Sequence, residues 1–116
     1  MRPALVIPIL SLLAAASASA GSSSAGPDIE VVGRLENLNY ESVSDPDDML
    51  GHGWITARLH ISRVLRGRPA GRIVTIRYFA HTYWNDRVAR RFRLRPQAGN
   101  IYLACVPPGQ EGVQCR

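Results

Sequence analysis

The stretch WITARLHISRVLRGRPAGRIVTIRYFA, Trp54 to Ala80, decides the fold. Ile55, Ala57, Leu59 and Ile61 alternate with Thr56, Arg58, His60 and Ser62, the period of a strand with one face in a core and the other in water. RGRPAGR, residues 66–72, carries Gly67, Pro69 and Gly71 and reads as a turn. Beyond it a second strand runs through RIVTIRYFAHTYW to Trp84. Its even positions are the more apolar, with Tyr78 and Trp84 as bulky core fillers, which leaves Arg77, Phe79, His81 and Tyr83 outward. Taking the turn as centred near residue 69 sets His60 opposite roughly residue 78. On that register His60 and His81 become neighbours on the outer face.

The flanks continue the strand rhythm. DIEVVGRLENLNYESV, residues 28–43, reads as the first strand, with Gly33 suited to a bulge. SDPDDMLGHG, residues 44–53, is a polar loop broken by Pro46, Gly51 and Gly53. After Trp84, NDRVARR reads as a loop or a single helical turn, and RFRLRP as a short strand with Phe92 and Leu94 inward and Arg91, Arg93 and Arg95 outward. GNIYLACV, residues 99–106, is a near-continuous apolar run that fits a buried last strand. Short strands at this spacing, with turn signals between them, predict an all-β protein: a small five-stranded Greek-key barrel, OB-fold-like.

Residues 1–20 read differently. Arg2 precedes an apolar run from Ala4 to Ala16, and the segment closes on Ala18-Ser19-Ala20, the small-x-small pattern of a secretory cleavage site. The run is about 13 residues, too short for a bilayer core of ~30 Å. The expectation is a cleaved signal peptide at 1–20, a flexible Ser-rich leader at 21–27, and one β-barrel domain at 28–116. The product is exported, periplasmic or secreted, and carries no membrane span. In an oxidising compartment Cys105 and Cys115 favour a bridge across the turn-rich VPPGQEGVQ, worth roughly 2–3 kcal/mol. Two free thiols are the alternative, and a lone C-x9-C lacks the spacing of a zinc motif.

Charge is unevenly placed. Seven acids (Asp28, Glu30, Glu36, Glu41, Asp45, Asp47, Asp48) face Arg34 alone between residues 28 and 48. Eleven arginines face Asp86 alone between residues 58 and 95. Either a basic face binds a polyanion, or the acidic first strand and loop lie beside a basic sheet and neutralise it.

The series VVGRLENL, a polar loop, ITARLHISRVLRG, RIVTIRYFAH and GNIYLACV resembles small bacterial exported domains with an OB-fold of the netrin and tissue-inhibitor-of-metalloproteinases type. The resemblance spans about Asp28 to Val106 and implies a barrel. Metalloproteinase inhibitors of that shape place a cysteine at the mature N-terminus to engage the target's metal. Gly21 stands at that point here, so the inhibitory mechanism has no residue to carry it over.

The sequence holds no nucleophile elbow, no phosphate-cradling glycine loop and no H-E-x-x-H, so neither an enzyme nor a cofactor is expected. Asp45, Asp47, Asp48 and His52 lack the downstream Glu of an EF-hand and read as a solvated acidic loop. No metal site is expected, because the outer face carrying His60 and His81 offers no carboxylate. OB-folds commonly bind on the face of strands two and three. The candidate binding residues are therefore Arg58, His60, Arg77, Phe79, His81 and Tyr83. The expected partner is a protein of the cell envelope, with a glycan or single-stranded nucleic acid as the alternative.

Overall fold

The computed structural model describes residues 26–116, so the expected signal peptide and most of the leader lie outside the described residues. Five strands form the domain: β1 Ile29–Ser42, β2 Gly53–Arg66, β3 Ile73–Ala80, β4 Arg90–Pro96 and β5 Ile101–Cys105, with a 3-10 turn at Ala98–Asn100. They close into a barrel in the order β1-β2-β3-β5-β4, with β4 back against β1. Every pairing is antiparallel except β3 with β5. This is the OB-fold-like barrel expected.

Alternation fills the interior. β1 contributes Ile29, Val31 and Leu35; β2 contributes Ile55, Ala57, Leu59 and Ile61; β3 contributes Val74, Ile76, Tyr78 and Ala80. Phe92 and Leu94 of β4, with Tyr102 and Ala104 of β5, complete one cluster. No polar or charged residue is buried among the described residues. β1 pairs with β2 along one edge and with β4 along the other, and it is bulged. Its register with β2 shifts at Glu30/Val31, at Val32/Gly33 and again at Asn37/Asn39. A Cβ on Gly33 would stand 2.6 Å from the His60 carbonyl oxygen, so the bulge expected at this glycine also needs its missing side chain.

Two sequence expectations are corrected. β3 ends at Ala80, so His81, Thr82, Tyr83 and Trp84 belong to the following loop. Trp84 still reaches the core, from that loop, with its ring stacked 3.9 Å from Tyr78. The β2–β3 register also differs. His60 pairs with Ile73, not with residue 78, and Gly53 pairs with Ala80. The last residues of β2 pair with β1 alone, out to Arg66 opposite Glu30. The connection is therefore a wide one, with the Ile61 N–H bonded to the Arg72 carbonyl, centred between residues 66 and 67.

One polar network ties this together. The Tyr78 hydroxyl donates to Asn37 Oδ1 (2.6 Å) and accepts the Trp84 backbone N–H (3.0 Å), while Asn37 Nδ2 donates to the Trp84 carbonyl (3.1 Å). Burial pushes the Tyr78 phenol up to about 12, so it stays a donor throughout the working pH range. Tyr78→Phe keeps the ring and orphans two partners. It should lower stability by about 1–2 kcal/mol in chemical denaturation. An unchanged midpoint would show that the network contributes nothing.

Candidate functional site

Strand directions bring the β1–β2 loop (43–52), the β3–β4 loop (81–89) and the segment after β5 to one end of the barrel. The segment after β5 folds back. Cys105 and Cys115 are bonded, with Cα atoms 5.5 Å apart, as the bridge reading expected. Cys105 also forms a parallel bridge to Val113, and the Val106 N–H bonds the Val113 carbonyl at 2.7 Å. Gly112 makes the return at φ 137°, where a Cβ would run into Val106. The chain is thereby directed so that Glu111 faces His52 and His81.

Asp48 organises the β1–β2 loop. Its carboxylate accepts the backbone N–H groups of Leu50 (3.2 Å), Gly51 (3.0 Å) and His52 (2.8 Å), and lies 3.0 Å from His52 Nδ1. His52 Nε2 meets Glu111 Oε2, and His81 Nδ1 lies 2.6 Å from that same oxygen. The His52–Asp48 hydrogen bond raises the imidazole pKa above its ordinary value; burial opposes this and Glu111 adds to it. Asp48 is lowered first by that bond, then by backbone N–H groups, against some desolvation. Burial alone would raise Glu111, but hydrogen bonds from His81 and His52 outweigh it and the net shift is downward. Carboxylates at both ring nitrogens give each N–H an acceptor, which favours the protonated form of His52.

Of the six candidate residues, Arg58, His60, Arg77 and Phe79 lie on the outer face of β2 and β3, while His81 and Tyr83 lie on the loop beyond it. Arg58 (3.3 Å) and His60 (2.9 Å) share Glu36 across from β1. Arg77 lies over the Trp54 ring at 4.8 Å, 3.9 Å from Glu41. Phe79 is half-buried, edge-on to Trp54 at 5.2 Å and stacked on His52 at 5.4 Å. Tyr83 is exposed on the β3–β4 loop. His81 meets His52 and Glu111, not His60. The sequence reading missed Trp54, Glu111 and the pairing of Asp48 with His52. The signal for Glu111 was available, since a Cys105–Cys115 bridge must return the intervening segment toward the end of β5.

Between the two charge readings, the structure favours neutralisation. Asp28 is bonded by Arg93 and Arg95, and Glu30 by Arg66 and Arg91. Comparison with protein families, curated proteins and solved structures finds no match to this chain.

Asp28 is the least exposed of these acids, and the Arg95 hydrogen bond holds its carboxyl below the ordinary value of 3.8, against some desolvation and with help from Arg93. A carboxyl lowered by folding adds stability above its ordinary pKa and loses it as the pH falls through the lowered one. Asp28→Asn should cost about 1 kcal/mol at pH 7. Denaturation curves of the two proteins should converge as the pH drops below 3.8 through that window. A gap that persists at the acid end would contradict the assignment.

Proposed function

We propose that this barrel is an exported protein-binding module of the cell envelope, contacting its partner through the loop end rather than through the outer face of β2 and β3. Export rests on the signal-peptide pattern of residues 1–20. The observation that carries the binding site is the β1–β2 loop. Met49 is 95% exposed and Leu50 64% exposed, in a loop whose backbone is held by the Asp48 carboxylate. Apolar side chains displayed on an already ordered loop lose little entropy on docking, which favours affinity. Tyr83 and Val88 are exposed on the neighbouring β3–β4 loop and extend the apolar character of that end. The inhibitor-type resemblance agrees with a protein partner, without the N-terminal cysteine that would direct it to a protease metal.

The polyanion reading loses support at its own residues. Arg58 and His60 share Glu36, and Arg77 has Glu41, so an incoming phosphate or sulfate must displace carboxylates from them.

Immobilised protein lacking residues 1–20 is to be exposed to envelope extract beside a Met49→Asp/Leu50→Asp double variant. The expected outcome is one protein retained through a high-salt wash by the wild type and reduced at least about ten-fold by the variant. Equal retention by the variant, or capture that vanishes with salt and is competed by single-stranded DNA or heparin, overturns the proposal.

A further inference from the structure

The same end of the barrel carries a cluster that the protein-binding reading does not use. His52 Nε2, His81 Nδ1 and a carboxylate oxygen of Glu111 lie within 4.8 Å of one another. They come from three separate segments: the β1–β2 loop, the residue after β3, and the chain beyond β5. We propose that His52, His81 and Glu111 form a binding site for a divalent transition-metal ion of the zinc class, with Asp48 orienting His52 through the ring nitrogen that faces away from the ion.

Four features of the structure support it. Two imidazoles with one carboxylate is a borderline donor set that suits Zn2+ and leaves a fourth position open, whereas Ca2+ and Mg2+ prefer oxygen. A ligating histidine ordinarily gives its other N–H to a carboxylate, and Asp48 stands 3.0 Å from His52 Nδ1 in that position. The His52 ring plane is fixed independently by its stack on Phe79, at 8° interplanar angle. Glu111 is fixed through the disulfide and the Cys105–Val113 bridge, so all three donors are brought together before any ion arrives.

Without an ion, Glu111 sits between the two rings as a shared hydrogen-bond acceptor. Tetrahedral zinc bonds of about 2.0–2.1 Å place neighbouring donors roughly 3.3 Å apart. A ~1 Å rotation of the Glu111 carboxylate away from the rings, scaled to that bond length, therefore makes room. The protons balance: His52 releases its Nε2 proton to solvent, and His81 gives up the proton on Nδ1 and binds as the neutral tautomer that carries its proton on Nε2. His52 then binds as neutral imidazole with its Nδ1–H still on Asp48. The Glu111 side chain is 33% exposed, so the ion enters from solvent and water completes the shell. The site stands whether or not the barrel docks a protein.

The test titrates ZnCl2 into the disulfide-bonded protein in a non-chelating buffer by calorimetry, with MgCl2 and CaCl2 as controls. The expected result is one Zn2+ per chain with Kd on the order of micromolar or tighter, and no binding of Mg2+ or Ca2+. His81→Ala and Glu111→Gln lie outside the strands and should fold normally by circular dichroism. Each should weaken Zn2+ at least about ten-fold, and Asp48→Asn should weaken it by about ten-fold while keeping the three donors. Co2+ should give the intense visible bands of a four-coordinate site in wild type and lose them in His81→Ala. Absence of Zn2+ binding at 100-fold excess over the expected Kd, or binding undiminished in both His81→Ala and Glu111→Gln, overturns the proposal.

Discussion

The antiparallel pairing of β2 with β3, from Gly53 opposite Ala80 to His60 opposite Ile73, sets which side chains share the outer surface of the barrel. Its parity is compelled by burial. Ile55, Ala57 and Leu59 point inward from odd positions and Val74, Ile76 and Tyr78 from even ones, so partner numbers must sum to an odd value. The sum the barrel adopts places residue 81 across from residue 52, just beyond the paired ends of the two strands. Phe79 then lies against both Trp54 and His52, and Glu111 finds two imidazoles rather than one.

Much of this was legible in the sequence. The strict alternation of Ile55 to Ser62, the glycine at the β1 bulge, the inward Phe92 and Leu94 and the apolar β5 are local patterns, and local patterns report a strand and its faces. Register is not local. β2 continues six residues past its last β3 partner, His60, because β1 pairs with it as far as Arg66, and only the closed barrel shows that. Centring the turn on its glycines and proline therefore displaced the pairing and matched His81 with the wrong histidine. The end of β3 was hidden for a related reason: Trp84 continues the even, apolar set, yet reaches Tyr78 from a loop.

Charge shows the same division. The acidic run and the arginine run were evident, but whether they would meet depended on β1 lying between β2 and β4. From that position Glu36 reaches Arg58 and His60 on one side, while Glu30 and Asp28 reach arginines of β4 on the other. The Glu36 pairs are exposed enough to contribute little alone, whereas Asp28 is largely covered. The larger effect of these pairs is to offset the basic field of the sheet. At the loop end the disulfide has a role beyond stability, because it holds the segment bearing Glu111 across the mouth of the barrel.

The His52–His81–Glu111 cluster exists only if the β2–β3 register holds. Cross-strand nuclear Overhauser effects on isotope-labelled protein test it directly. The expected contacts pair Leu59 with Val74 and Gly53 with Ala80, together with ring contacts from His52 to Phe79 and His81. Contacts pairing His60 with Tyr78, and none between His52 and His81, would contradict it.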